Sequence, residues 1–481
     1  MLSWIVAAGS LAVLLILLRR PVAVWRKALF GLPLLAICAV AVSMGLSMRL
    51  EREGGGIPRF VTFESAEKHA ERIEADRSTP PAAPVPEAPQ VVEAAAPPAD
   101  VEAIWSSFRG LAGDGSTGET ILTNWPGGKL KELWRKPVGG GWASFVAAGK
   151  LMYTIEQRRA QEVVAAYDMA SGREVWTHKY AADFQESMGG NGPRATPTYA
   201  GGRVYSLGAT GEFFVLDALT GKVVWHKNIL TDNNAENLTW AMSSAPLIVD
   251  KLVILQPGGP SNKSIVAYNM DTGARVWGSL GDRQAYTSPM LVTLAGKRQI
   301  LTVTAMRAVG LEVETGKMLW EYPWVTDYDV NSAQPIVVGN SRFILSAGYG
   351  HGAAMVDVAS GKAERVWENK KLKNKFNSSV LYKGHVYGFD EAIFTCIEAA
   401  TGETKWKGGR YGYGQVLLAS GHLVITTEEG EVVLVKADSS SHQEVAKFKA
   451  IEGRTWNVPM IANGRLFVRN ATEMAAYAIA P

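Results

Sequence analysis

The sequence predicts an all-β, eight-bladed β-propeller. Three observations predict it: a string ending in tryptophan recurs along the chain, its spacing matches one four-stranded blade, and one copy is split between the two ends. The string reads AYDMASGREVW up to Trp176. It returns as VLDALTGKVVW at Trp225, AYNMDTGARVW at Trp277, GLEVETGKMLW at Trp320, MVDVASGKAERVW at Trp367 (two residues longer) and CIEAATGETKW at Trp406. A degenerate copy ends at Phe448. Trp134 supplies a tail without a head, and residues 474–478 a head without a tail. From Trp134 to Phe448 the intervals are 42, 49, 52, 43, 47, 39 and 42 residues, and residues 130–481 divide into eight units of 44. A four-stranded propeller blade takes about 40–45 residues.

Each unit reads as strands around a tight turn. In one of them, Arg203–Leu207 and Glu212–Leu216 alternate or run apolar as strands do. The segment from Asp217 to Gly221 is a turn: the carboxylate bonds backbone N–H groups ahead of it, and glycine takes the positive φ. Lys222–Trp225 is then the outer strand, and its indole is expected to wedge between neighbouring blades. The split copy is expected to pair the strand at Trp134 with the C-terminal strands and close the ring, leaving no free sheet edge.

Composition narrows the function classes. With 49 Lys+Arg against 46 Asp+Glu the chain is nearly neutral, which disfavours a nucleic-acid partner. Two cysteines, Cys38 and Cys396, exclude a disulfide scaffold and a cysteine-based zinc cluster, and the scattered histidines show no metal spacing, so no metal site is expected.

The N-terminus reads as membrane. Residues 1–18 and 28–48 are apolar runs, each expected to form a transmembrane helix; the second has the roughly 20 residues a span needs, and the first is slightly short. Arg19, Arg20, Arg26 and Lys27 lie between them, which places that loop in the cytoplasm and the rest of the chain outside a bacterial inner membrane, facing the periplasm or exterior. A processed signal remains the alternative to a permanent anchor. Residues 49–103 form an acidic Pro/Ala-rich linker with a net charge of −6 over residues 51–102, read as an extended, solvated spacer. Within it, 65–77 has helical composition but no strong apolar stripe. Residues 104–129, with Trp105, Phe108 and Trp125, are expected to pack as an arm on the propeller.

The string A-x-[DN]-x-x-[TS]-G-x-x-x-W resembles the repeat of pyrroloquinoline-quinone-type propellers, a superfamily that includes quinoprotein alcohol dehydrogenases and the membrane-anchored or envelope propellers of the BamB type. Trp105-Ser106-Ser107-Phe108-Arg109-Gly110 is also similar to the opening of BamB-like bacterial members. The resemblance implies two functions. One is a non-catalytic scaffold for an envelope protein partner or small ligand, with no cofactor. The other is a dehydrogenase using pyrroloquinoline quinone and calcium, which implies adjacent cysteines, calcium-binding carboxylate and amide oxygens and an Asp base. Cys38 and Cys396 cannot supply the adjacent pair, and no C-x-x-C-H haem motif is present. A ligand-sensing domain is a third reading. No catalytic residue can be assigned, and the scaffold is preferred.

Propeller geometry brings the segments that enter each innermost strand to one mouth of the channel. In order they offer Trp142, Arg194, Trp240, Tyr286, Asn331, Lys375 with Asn377, Tyr411 with Tyr413, and Trp456 with Asn457. Several are followed by small polar residues and proline, as in Ala195-Thr196-Pro197 and Ala333-Gln334-Pro335. Aromatic, cationic and amide groups suit a flat, anionic, hydrogen-bonding ligand; the competing expectation is that they fill the channel and satisfy strand ends. The Gly-rich strings at 348–352 and 408–414 lack the P-loop ending and read as close packing.

Overall fold

The computed structural model describes residues 9–16, 24–52, 54–55, 58–62, 64–78 and 101–481, in two units, Met1–Glu71 and Arg72–Pro481. In the first unit residues 9–16 are helical, a helix covers Val24–Ser47, and Met48–Arg52 pairs antiparallel with Pro58–Thr62. Among the described residues no helix is long and apolar enough to cross a membrane. Residues 1–8 and 17–18 of the first expected span lie outside the described residues, as do the side chains of 28–29, 41 and 43–48 of the second.

The expected linker carries more structure than its composition suggested. A helix forms over Ala66–Ser78, where Ser65 caps it by accepting from the Lys68 amide at 3.2 Å. From Arg72 onward this helix belongs to the propeller unit. Ile73 is buried, but Asp76 and Arg77 in its last turns dock through ion pairs and polar contacts, which is why no apolar stripe announces it. Residues 79–100 lie outside the described residues; they join this helix to the strand Ala103–Trp105, which is itself part of the propeller.

Eight antiparallel sheets follow one another along the second unit, with core strands covering Val146–Ala181, Thr198–Asn228, Leu247–Ser279, Met290–Pro323, Ile336–Asn369, Val380–Arg410, Gln415–Lys449 and, for the eighth, Met460–Ala478. The eighth blade takes its outermost strand from Lys131–Pro137, with Trp134 opposite Ala476. Head and tail of the chain therefore share one sheet, and the ring is closed. The arm adds Ala103–Trp105 beside the innermost strand of blade 1 and Ser116–Thr117 beside that of blade 7. Between these points Arg109 is buried and donates from Nη2 to the Ser379 carbonyl of blade 6 at 2.8 Å. With the Tyr199 amide of blade 2 donating to the Ser106 carbonyl at 2.8 Å and the Asn463 amide of blade 8 donating to Glu119 at 2.8 Å, the arm reaches blades 1, 2, 6, 7 and 8.

Contacts between blades explain the repeated string. The acid opens the turn, as where Asp217 accepts from the amide and hydroxyl of Thr220, each at 2.8 Å. The indole of one blade then donates to the carbonyl that follows the turn-opening acid, or Asn269 in blade 3, of the next blade: Trp134 to Met169 at 3.1 Å, Trp176 to Ala218 at 2.9 Å, Trp225 to Met270 at 2.9 Å, Trp277 to Val313 at 3.0 Å and Trp367 to Ala399 at 3.0 Å. The turn glycine lies against that ring; a Cβ on Gly172 would come within 2.8 Å of Trp134, and one on Gly273 within 2.8 Å of Trp225. Glycine and tryptophan in the string are therefore contact partners across blades.

Blade 5 is the exception. Its turn is two residues longer, and a Cβ on Gly361 would meet nothing within 4 Å. The Trp320 N–H accordingly turns onto its own blade, donating to Gln299 Oε1 at 2.7 Å where Gly310 leaves room for the ring, while the ring face stacks on Phe343 of blade 5 at 5.1 Å.

Candidate functional site

Antiparallel strands alternate direction, so two sets of loops share one end of the ring: those leading from each outermost strand to the next blade, and those joining second to third strands. Beneath that end the small polar residues noted before the prolines tie neighbouring blades together. The Ser144 amide donates to Thr196 Oγ1 at 2.9 Å, Ala245 to Ser288 Oγ at 2.8 Å, Ser288 to Gln334 Oε1 at 2.8 Å and Gln334 to Ser378 Oγ at 3.0 Å. Gln415 continues the belt, donating from Nε2 to the carbonyls of Trp456 at 2.9 Å and Phe376 at 3.2 Å.

Above this belt aromatic rings meet one another. Trp142 packs on Trp456 at 4.8 Å, Trp456 on Phe376 at 4.5 Å, and Phe376 on Tyr413 at 5.6 Å. The Arg454 guanidinium lies 4.4 Å over Trp456 and 5.3 Å over Trp142. Lys375 lies between the rings of Tyr349 and Tyr413, at 4.4 and 4.6 Å. On the other side Trp240 faces Tyr286 at 6.1 Å, and Arg194 lies 5.0 Å over Phe184 and donates to the carbonyls of Gly190 and Gly192.

Carboxylates hold this lining in place. Glu428 accepts from the Trp456 indole at 2.9 Å and the Tyr413 amide at 3.2 Å; Glu391 accepts from the Tyr413 hydroxyl at 3.2 Å and lies 3.7 Å from Lys375. Burial lowers the Lys375 pKa against the pull of Glu391, and lowers that of Arg194 to about 10 against Glu186 and Tyr286. Burial pushes Tyr286 up to about 12 and raises Tyr413, so both phenols stay protonated at neutral pH. The mouth offers aromatic faces, cations and hydrogen-bond donors.

Of the residues expected at the mouth, Trp142, Arg194, Trp240, Tyr286, Lys375, Tyr413 and Trp456 are brought together in this lining. Four expectations need correction. Tyr411 turns the other way, donating to Glu444 Oε2 at 2.7 Å and packing toward Phe394 and His442, because side chains two apart on an extended stretch need not share a face once Gly412 takes φ +65°. Asn331, Asn377 and Asn457 are buried and spend their amides on backbone: Asn331 on the Thr304 carbonyl at 2.9 Å, Asn377 on Gly414 at 3.1 Å and Asn457 on Ala143 at 2.8 Å. Their amide N–H groups thus satisfy strand-end carbonyls, while Asn457 Oδ1 stays buried without a hydrogen-bond partner.

Arg454, Phe376, Tyr349, Glu391 and Glu428 were not foreseen. Tyr349, Glu391 and Glu428 come from the loops between second and third strands, which the entering segments do not include. Gly348 and Gly352 do pack closely, since Cβ atoms there would overlap Lys375 and the Asn369 carbonyl.

The residues do not match the quinone and calcium expectation. Ring faces at the mouth meet other side chains, Glu391 and Glu428 are committed to Tyr413 and Trp456, and among the described residues no three His, Cys, Asp or Glu come together in a metal-binding group. The fold and this lining define a closed eight-bladed propeller of the pyrroloquinoline-quinone repeat type.

Comparison with known proteins agrees with that class. The chain belongs to the family described as outer membrane protein assembly factor BamB, which matches residues 159–408. The BamB of Burkholderia pseudomallei is 25% identical over 355 residues, which is 63% of this chain and 87% of that protein. The crystal structure of BamB from Moraxella catarrhalis superposes with a TM-score of 0.53 at 16% identity, over 73% of this chain and 97% of that one. A europium-containing methanol dehydrogenase superposes with a TM-score of 0.58 at 13% identity, over 76% of this chain and 89% of that one. At such identities both structural likenesses speak for the fold alone.

Proposed function

We propose that the chain is a non-catalytic binding propeller of the bacterial envelope, serving the assembly of outer-membrane proteins as the family name describes. The mouth lined by Trp142, Arg194, Trp240, Tyr286, Lys375, Tyr413 and Trp456 receives a protein partner or a small ligand. The single observation that carries the reading is the filling of the mouth by its own side chains. The rings of Trp142, Trp456, Phe376 and Tyr413 pack in succession, where an enzyme of this fold would keep a slot open for its cofactor. Half-buried aromatic faces and partly desolvated cations suit recognition of a polypeptide surface. The propeller is tethered at the inner membrane through residues 1–18 and 28–48; the apolar runs and the cationic loop between them support this.

Reconstitution of the full chain with pyrroloquinoline quinone and calcium tests the reading directly. The expected result is no change in the quinone absorbance and no reduction of an artificial dye. Stoichiometric quinone uptake with alcohol-dependent dye reduction would replace the scaffold by a dehydrogenase.

A further inference from the structure

The seam between blades 8 and 1, where the ring is closed, carries a set of acceptors that the mouth does not use. At its base is Glu156, with no exposed side-chain surface. It accepts from the Gly139 amide at 2.5 Å and the Tyr167 hydroxyl at 2.8 Å and pairs with Arg158. Arg469 of blade 8 comes in from the other side, donating to Thr154 Oγ1 at 2.6 Å and the Gly139 carbonyl at 3.0 Å. Glu156, Tyr167 and Glu174 belong to blade 1, and Pro137 ends the closing strand of blade 8.

One side chain from outside the ring enters this set. Arg77, in the last turn of the helix Ala66–Ser78, donates from Nε to Glu174 at 3.2 Å. Its Nη2 reaches the Pro137 carbonyl at 3.0 Å and the Tyr167 hydroxyl at 3.3 Å, and its guanidinium lies 5.3 Å over the Tyr167 ring. Two flanking ion pairs hold the same turn, Asp76 with Lys136 at 2.9 Å and Glu74 with Arg159.

We propose that this seam is an arginine-binding site, occupied in cis by Arg77, that clasps the linker helix across the ring closure. The ligand class follows from the geometry. A carboxylate, a carbonyl, a phenol and a ring face approach from different directions, which a planar fork of five N–H donors can satisfy together; an ammonium reaches one or two of them. Because the acceptors come from both blades, the guanidinium bridges the strand Lys131–Pro137 to blade 1. The free spacer between tether and ring is then shorter than the linker composition implies, since the chain is already held at Arg77.

Hydrogen exchange on the full chain, read at residues 72–78 and 131–137, tests this. Arg77→Gln and Glu174→Gln are each expected to speed exchange at 72–78 by about tenfold or more, with residues 203–217 of blade 2 unchanged as the control for folding. Arg77→Lys should fail to restore protection, and the double variant should exchange no faster than the faster single one, because both remove the same interaction. Raising the salt concentration should speed exchange more in the unaltered chain than in Arg77→Gln, where only the Asp76–Lys136 and Glu74–Arg159 pairs remain to be screened. Unchanged exchange in Arg77→Gln, full protection in Arg77→Lys, or additive effects in the double variant would overturn the proposal. Should Arg77→Gln disturb blade 2 as well, Glu174→Gln and the salt dependence decide.

Discussion

Substituting Gly172 by alanine tests whether the repeated glycine is there for the neighbouring indole. Gly172 sits at φ +68°, and a Cβ added to it would lie 2.8 Å from a carbon of Trp134 on the closing strand. Two costs follow. Alanine in the left-handed region loses about 1–2 kcal/mol, and forcing a methyl against a packed ring costs about 1–3 kcal/mol more. Gly361 is the internal control: it holds φ +79° with nothing within 4 Å of its would-be Cβ, so Gly361→Ala carries the backbone cost alone. The denaturant midpoints of the two variants, measured on the full chain, should differ by the packing part, roughly 1–3 kcal/mol, with Gly172→Ala the less stable. Trp134→Phe in the Gly172→Ala background should show coupling, because the smaller ring relieves the clash. Equal losses for Gly172→Ala and Gly361→Ala would refute the contact-partner explanation of the string.

Further consequences can be measured in the same way. Burial alone would raise the Glu156 pKa, but Arg158, Arg469 and Arg77 outweigh it and hold the group down to about 2. A depressed carboxylate contributes stability above the unfolded value of about 4.5 and loses it as pH falls toward 2. Glu156→Gln should therefore flatten that limb of an acid-unfolding curve, by at most about 3 kcal/mol; an unchanged acid limb would contradict the ion network. Arg109→Met leaves the Ser379 carbonyl without its guanidinium donor; a loss of about 1–3 kcal/mol and faster hydrogen exchange at residues 104–117 are expected. Trp320→Phe keeps a ring against Phe343 of blade 5 and removes no hydrogen bond between blades 4 and 5, whereas Trp277→Phe strands the Val313 carbonyl between blades 3 and 4 and should open that seam, read as faster hydrogen exchange at residues 307–313, by a loss of about 1–3 kcal/mol.

How much the residues revealed in advance follows from where each contact lies. The blade count was legible because turn acid, turn glycine and outer tryptophan recur at fixed offsets: the acid holds its own turn, and the tryptophan of one blade meets the turn glycine of the next. Trp320 shows the limit: the string survives there, yet two added residues at Gly361 remove its partner, and nothing local tells which way the indole turns. The mouth was half legible. Entering segments can be found by counting back from each innermost strand, but Tyr349, Glu391 and Glu428 arrive through strand alternation from other loops. Tyr411 and Tyr413 look equivalent in sequence, and only the turn at Gly412 separates them. The helix Ala66–Ser78 escaped for another reason: its last turns are held by Glu74, Asp76 and Arg77, and ionic docking leaves no hydrophobic period to read.

Site-specific photo-crosslinking in cells making the full chain bears most directly on the binding role of the mouth. A photoreactive residue placed at Tyr349 or Phe376 should yield a discrete adduct with an envelope protein, and one at Leu219, in a turn at the opposite end of the ring, should not. Adducts of equal yield from both ends, or none from either mouth position, would contradict a scaffold that presents this face to a partner.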